Sequence, residues 1–360
     1  MKRKNYVTVC LIAAFFLGVS VWNTFGAKAD YSESERRVLA KFPEVTAESV
    51  LSGKFSAEFE EYAVDAFPMR DAWRSVKAYM KTGIFVQKDN NGIYTADGHL
   101  SKLEYPMNEK MLDHAIEVFS NVKEKYLQDN NVYFALIPDK NRYLAEENGY
   151  ISLDYDVFTE YMKLGMDFAN YIEIADLLSA DDYYKTDTHW RQENLVNVAE
   201  RIASEMETEL SQEYNVEKLG VPFNGVYVGQ SALVCKPDTI SYLTNDVLER
   251  AEVEGAKAVY DMDKAKGKDA YEMFLSGNQP IITMRDPENA EGKRLILFRD
   301  SFGSSIAPLL MSGYSEIVLV DLRYISSDML GQYVDFENAD VLFLYSTLLL
   351  NNSLALKLGD

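Results

Sequence analysis

The sequence predicts an α/β protein, a parallel β-sheet flanked by helices. Three observations carry that reading. The last third of the chain alternates four-residue apolar runs with helical segments. Those runs are apolar at consecutive positions, as strands are when both sheet faces are covered. Finally, about 330 residues follow the N-terminal segment in a chain that is 47% apolar, enough to bury a large core without covalent staples. No Pro/Gly/Ser-rich linker and no internal repeat divides that length.

The elements follow in chain order. Met1-Lys2-Arg3-Lys4 is basic, Tyr6 to Trp22 is an apolar run broken by Thr8, Gly18 and Ser20, and Ala27-Lys28-Ala29 precedes Asp30. These are the three parts of a secretory signal, with cleavage expected after Ala29; an uncleaved membrane anchor is the alternative. Either way the remainder lies outside the membrane, because the positive end stays inside. Residues 30–105 read as an N-terminal extension and 106–360 as the α/β domain. Within the extension, Phe55, Phe59, Tyr62, Ala63 and Phe67 recur at helical spacing from Ser52 to about Lys81, and Pro68 must kink or split that helix. Asn91-Gly92 and Asp97-Gly98 flank Ile93-Tyr94 as tight turns of a small hairpin sheet.

In the domain, residues 106–128 form an amphipathic helix and Val132–Ile137 a buried strand ending in Pro138-Asp139-Lys140-Asn141. A helix is expected from Val157 to Leu178, a polar loop from Asp181 to Trp190, and a helix over 191–211. Then strands at Leu295–Phe298, Ile317–Val320 and Val341–Leu344 alternate with helices at 303–312 and 327–335. Ligands of such sheets bind at the carboxyl ends of the strands, so the loops after Ile137, Phe298 and Val320 are where chemistry is expected.

Charge and cysteine content narrow the partners. The net charge of −21 becomes −25 when Lys2, Arg3, Lys4 and Lys28 are removed. Such a chain repels nucleic acid and resists anionic lipid head groups, whereas neutral sugars or cationic partners suit it. Cys235 is the single cysteine beyond the apolar run, so no intrachain disulfide forms in the exported part. Cys10 lies inside the run after Val9 and does not read as a lipidation site. No cofactor or metal motif is read. Asp261 to Glu272 imitates a calcium loop, but Ala265 takes a ligand position and Lys266 stands where glycine is needed.

Histidine is the scarcest catalytic resource, with three in the chain. His99 follows a turn and His114 sits on the 106–128 helix. His189 lies two residues after Asp187, a spacing that puts both side chains on one side of an extended segment. The carboxylate then reaches one imidazole nitrogen and leaves the other as a base. A capping aspartate at a helix start is the competing reading. Ser301 directly follows a buried strand, with Gly303 two residues on and a helix beginning, where backbone N–H groups face a developing negative charge. A serine N-cap is the competing reading there. Ser304 and Ser305 are rival nucleophiles inside the helix, and the absence of a G-x-S-x-G elbow argues against an α/β-hydrolase.

Together, Thr186-Asp187-Thr188-His189-Trp190 and Asp300-Ser301-Phe302 resemble the DHHW family and the related alginate O-acetyltransferase-type SGNH-hydrolase-like proteins. The similarity extends through Ser34–Ala40 with Phe42-Pro43, through Tyr62, Asp65, Phe67-Pro68 and Arg70, and through Asn91–Tyr94. It continues in Pro138–Lys140, Phe223–Tyr227, Val320–Tyr324 and Asp340–Tyr345, covering residues 30–352. Thr188 departs from the family pattern, which has histidine there. The resemblance implies an SGNH-like fold with circularly permuted motif order, Asp-x-His before Ser, and a triad of Asp187, His189 and Ser301. Phe302, Gly303, Arg323, Lys140 and Trp190 are the candidates for substrate or oxyanion contacts; for Arg323 and for Lys140 a structural salt bridge within this acidic protein is the competing reading. It further implies O-acyl transfer or ester hydrolysis on an envelope or secreted polysaccharide, with a membrane-bound O-acyltransferase as acyl-donor partner. A non-catalytic polysaccharide-binding or assembly protein of the same fold is the alternative, permitted by the acidic surface and by 24 Tyr, 18 Phe and 3 Trp.

Overall fold

The computed structural model describes residues 2–32, 34–210 and 213–359. Met1 of the basic segment, Ser211 at the end of the expected 191–211 helix and Asp360 at the domain end lie outside the described residues. The centre of the fold is a seven-stranded sheet. Its strands are β1 (Val132–Ile137), β2 (Asn170–Tyr171), β3 (Glu252–Glu254), β4 (Ile281–Arg285), β5 (Arg294–Arg299), β6 (Glu316–Val320) and β7 (Ala339–Ser346), in the spatial order β2-β1-β7-β5-β6-β4-β3. From β2 to β6 neighbouring strands are parallel; β4 and β3 add an antiparallel edge.

The consecutive apolar residues of these strands divide between two cores because side chains alternate across a sheet. Leu295 and Leu297 of β5, Ile317 and Leu319 of β6, and Leu342 and Leu344 of β7 face one side. There they meet α5 (Val196–Glu205) and α6 (Gly303–Leu310). Ile296, Phe298, Val318, Val320, Val341 and Phe343 face the other side, against α3 (Glu109–Tyr126) and α4 (Tyr155–Gly165). Register places the ends of the parallel strands together, with Ile137 opposite Ser346, Leu344 opposite Arg299, and Phe298 opposite Val320. The loops that start at Pro138, Asp300, Asp321 and Thr347 therefore emerge along one edge.

Several expected helices are shorter than their apolar pattern. The Val157–Leu178 segment ends its helix at Gly165, and Asn170–Tyr171 then pairs with β1 as a sheet strand. A Cβ on Gly165 would stand 2.3 Å from Ile116 Cδ1, so close packing against α3 requires the glycine that also ends the helix. The 191–211 segment opens with a 3-10 turn at Gln192–Asn194 before α5, and residues 327–335 hold only a 3-10 turn, Ser327–Gln332.

Two compact units are distinguished. One comprises the residues up to Gly92 together with Val228–Val234; the other holds the rest from Ile93 onward. The second unit includes the hairpin Ile93–Ala96/His99–Lys102, turned by Asp97 and Gly98 at positive φ. The first unit contains α1 (Lys2–Phe25), a helix long and apolar enough to cross a membrane between Asn5 and Phe25. Its helical region splits at Pro68, as expected, into Lys54–Asp65 and α2 (Arg70–Tyr79). Arg37 grips Asp65 through both guanidinium branches at 2.7 and 2.6 Å, holding that carboxyl below the usual carboxylate range. Arg70 and Arg74 pair with Glu35, and Arg70 also reaches Asp65, so three arginines and two carboxylates form one ion-pair knot.

Candidate active site

Ser301 occupies the turn between β5 and α6. The Asp300 carboxylate shapes that turn by accepting the Phe302 N–H (3.0 Å) with one oxygen and the Ser346 N–H at the end of β7 (2.9 Å) with the other. Gly303 opens α6 against the end of β5. A Cβ there would stand 2.5 Å from Arg299 Cβ, so a side chain would force the turn off the strand.

Asp187 and His189 lie on a bent loop closed by Tyr184 N–H to His189 C=O (3.0 Å) and Arg191 N–H to Asp182 C=O (2.8 Å). The loop is not extended. Instead one Asp187 oxygen accepts both the backbone N–H of His189 (3.1 Å) and its ring Nδ1 (2.6 Å), a local turn closed by the side chain. The second oxygen accepts the Val226 N–H at 2.8 Å. Thr186 is fastened in turn by Asp238, which accepts its N–H (2.8 Å) and hydroxyl (2.6 Å). Gly225 packs onto this loop where a Cβ would stand 2.3 Å from the Thr186 carbonyl.

The two loops meet. His189 Nε2 is 2.8 Å from Ser301 Oγ, across 112 residues of sequence. With Nδ1–H donated to Asp187, Nε2 is the acceptor for the serine O–H. The imidazole is stacked on the ring of Tyr271, centroids 3.9 Å apart and planes 12° apart, and Phe302 flanks it at 4.9 Å. The Tyr271 hydroxyl meets Ser305 Oγ at 2.8 Å, and Ser305 Oγ also takes the Trp190 indole N–H at 2.8 Å. Burial raises the Tyr271 phenol well above its ordinary range, so it stays a neutral donor.

The structure brings the three expected residues together and places the five contact candidates differently. The Phe302 N–H is held by Asp300, and the Gly303 N–H donates to the Asp300 carbonyl at 3.1 Å, so both are committed within the turn. Trp190 is fully buried, its N–H bound to Ser305 and to the Phe302 carbonyl. Arg323 lies along Asp321 with two hydrogen bonds of 2.9 and 2.6 Å, the salt-bridge role. Lys140 is buried beneath the Asp187 loop, where its ammonium donates to the carbonyls of Tyr184 (2.7 Å), Lys185 (3.2 Å) and Asp187 (2.8 Å). Burial pushes its pKa down to about 7. Each of the five is thus engaged by partners within the protein. Of the rival serines, Ser305 is spent in the Trp190–Tyr271 network and Ser304 is buried in α6. Tyr271 was not among the sequence candidates; it lies 82 residues from His189, and no local pattern marks it. Outside the site, His99 is buried, with its pKa lowered by burial, and His114 contacts the Leu356 carbonyl at 3.1 Å.

No family model matches the chain, and no curated protein matches it. Solved structures do. A DHHW family protein from Eubacterium siraeum DSM 15702 superposes with a TM-score of 0.60 at 21% identity, covering 76% of this chain and 98% of its own. Bacillus cereus PatB1 superposes with a TM-score of 0.55 in two structures. The one with a sulfonyl adduct is 18% identical and covers 74% of this chain and 95% of its own. The other is 19% identical and covers 72% and 96%. At these identities the likeness is one of architecture: this chain has the α/β, SGNH-hydrolase-like fold that it shares with the DHHW family protein and PatB1.

Proposed function

We propose that this chain is an exported serine acyltransferase or esterase of the DHHW type, acting on O-acyl groups, chiefly O-acetyl, of an envelope or secreted polysaccharide. The observation that supports the reading is the run of two hydrogen bonds, Asp187 to His189 at 2.6 Å and His189 to Ser301 at 2.8 Å, at the carboxyl edge of the parallel strands. In the first half-reaction Nε2 takes the Ser301 proton as Oγ attacks the acyl carbonyl. The tetrahedral adduct collapses to acyl-Ser301, and the leaving oxygen departs with the proton from Nε2. In the second half a sugar hydroxyl, or water, gives its proton to Nε2 and attacks the acyl-serine. Oγ then recovers that proton. Asp187 stabilises the imidazolium formed in each half. The role of α1 in this reading is that of a signal peptide or anchor that places residues 30–360 outside the membrane, with a membrane-bound O-acyltransferase as acyl-donor partner.

The test is incubation of the full chain with a fluorophosphonate probe, followed by peptide mapping, and with nitrophenyl acetate plus an oligosaccharide acceptor. The reading expects the adduct on the peptide holding Ser301 and acetyl release or transfer that the adduct blocks. Binding of polysaccharide with neither an adduct nor acetyl turnover would replace it with the binding-module alternative.

A further inference from the structure

The first unit carries an exposed feature that acyl chemistry does not use. Met69, Trp73, Val76 and Met80 recur at steps of four, three and four along α2 and the π-helical turn Met80–Ile84 that continues it. This spacing draws one stripe on a helix. Ile84 and Phe85 extend the stripe, and all six side chains are exposed, from 38% at Met80 to 64% at Phe85. One residue further on, Arg70, Arg74, Lys77 and Lys81 repeat the same spacing as an adjoining cationic stripe. Arg70 and Arg74 are tied to Glu35, while Lys77 stands at the surface, its ammonium reaching Asn91 Oδ1 at 3.0 Å. Ala78 is buried and turns the opposite side of α2 to the protein. From Met69 to Lys88 there are five basic residues and one acidic residue, a local +4 in a chain of −21.

Two observations indicate what covers the stripe. The start of α2 adjoins the end of α1, since Trp22 lines the same cleft as Met69 and Ala72, and Lys28 donates to the Ala66 carbonyl at 3.0 Å. With α1 retained as an anchor rather than cleaved after Ala29, the bilayer it crosses presents its outer surface beside α2. Charge is the second. An apolar stripe with Trp at its centre and lysines along its margin is the composition of a helix that lies in the membrane interface. We propose that α2 and the turn after it lie on the lipid surface, with Trp73 in the acyl boundary and Lys77 and Lys81 at anionic head groups. The contact would hold the first unit flat against the membrane from which α1 emerges, and it uses a cationic segment of a chain whose overall charge resists such lipids.

The experiment uses the full chain in vesicles of phosphatidylcholine with phosphatidylglycerol. Trp22→Phe leaves Trp73 and the buried Trp190 as emitters. Brominated lipids are expected to quench that emission, more strongly with bromines near the head group than at the chain end. Replacing Trp73 as well by Phe should remove the quenching. Lys77→Glu with Lys81→Glu should weaken it in proportion to the phosphatidylglycerol content and at low salt most of all. Vesicle-bound protein whose Trp73 is unquenched overturns the proposal. So does concentration-dependent self-association that shields Trp73 without lipid and is lost in Trp73→Glu, because a second copy then covers the stripe.

Discussion

His189 Nε2 and Ser301 Oγ stand 2.8 Å apart although no element of secondary structure contains both. The serine is placed by the end of β5 and the histidine by a loop fastened to Asp238, Val226 and Lys140. Ser301→Ala should therefore abolish fluorophosphonate labelling and lower acetyl turnover by roughly 10²–10⁶-fold, the range for loss of a triad member. Ser304→Ala should keep most activity, because Ser304 is buried in α6 while His189 Nε2 meets Ser301 Oγ. Labelling that survives Ser301→Ala but not Ser304→Ala would move the nucleophile.

Asp187→Asn should be more damaging than loss of one charge. Both Asp187 oxygens accept hydrogen bonds, from His189 on one side and Val226 on the other. An amide offers one acceptor and turns an NH₂ toward an N–H on the other side. Turnover should fall by about 10³–10⁴-fold, as when a triad aspartate is neutralised. A loss under tenfold would show that the carboxylate does not orient the ring.

Much of this was legible in sequence, and the limits are physical. The four central strands read clearly because each feeds two buried faces, so their apolar runs are unbroken. The antiparallel strands Glu252–Glu254 and Ile281–Arg285 are not legible, since their residues carry no distinct alternation and the pairing of the first with the second and of the second with β6 is a long-range event. The triad residues stood out through residue type and position beside a strand end. Their neighbours did not. A backbone N–H at a helix start looks free in sequence, yet Phe302 and Gly303 donate within their own turn to Asp300. Lys140 reads as a substrate or oxyanion contact or as a salt-bridge partner, and only the folded chain shows three carbonyls converging on it.

Lys140→Met should test that convergence. Methionine fills the space but removes the ammonium from the buried Tyr184 and Asp187 carbonyls, while the Lys185 carbonyl keeps the Leu100 N–H. An unsatisfied buried acceptor costs roughly 1–3 kcal/mol, so a loss on the order of 3 kcal/mol is expected in chemical denaturation. Labelling of Ser301 should slow as well, because the same loop carries Asp187. Unchanged stability would mean that the ammonium does not bear on the loop.

Asp139→Asn should alter the pH dependence of stability. Burial pushes the Asp139 carboxyl up from 3.8 to about 6, despite hydrogen bonds from Tyr155, Asn141 and Thr347. Between those values the folded protein binds the proton that the unfolded chain has released. The sign is therefore a stability that falls as pH rises from about 4 to about 6, by up to about 3 kcal/mol at ~1.36 kcal/mol per pH unit. Thermal melts across that window should show a slope in the parent chain that flattens in Asp139→Asn. An equal slope in both would assign the effect to other carboxylates.

Tyr271 separates stacking from hydrogen bonding at the imidazole. Its ring lies 3.9 Å from that of His189, nearly parallel, while its hydroxyl is bound to Ser305, whose oxygen also holds Trp190. Tyr271→Phe retains the stacked face and loses only the Ser305 contact, so kcat should stay within a few-fold of the parent, with a small loss of stability of about 1 kcal/mol. Tyr271→Ala removes the surface that fixes the ring plane. The imidazole then keeps its Asp187 hydrogen bond but gains freedom to swing about it, and Nε2 leaves the line to Ser301 for part of the time. Because a misplacement of about 1 Å can lower rates by about 10²-fold, kcat should fall by roughly 10- to 100-fold. KM for a small ester such as nitrophenyl acetate should change little, since the ring orients the base and not the ester. The rescue by phenylalanine is the discriminating result. If Tyr271→Phe is as inactive as Tyr271→Ala, the hydroxyl network through Ser305 is what positions the site, and the stack is incidental.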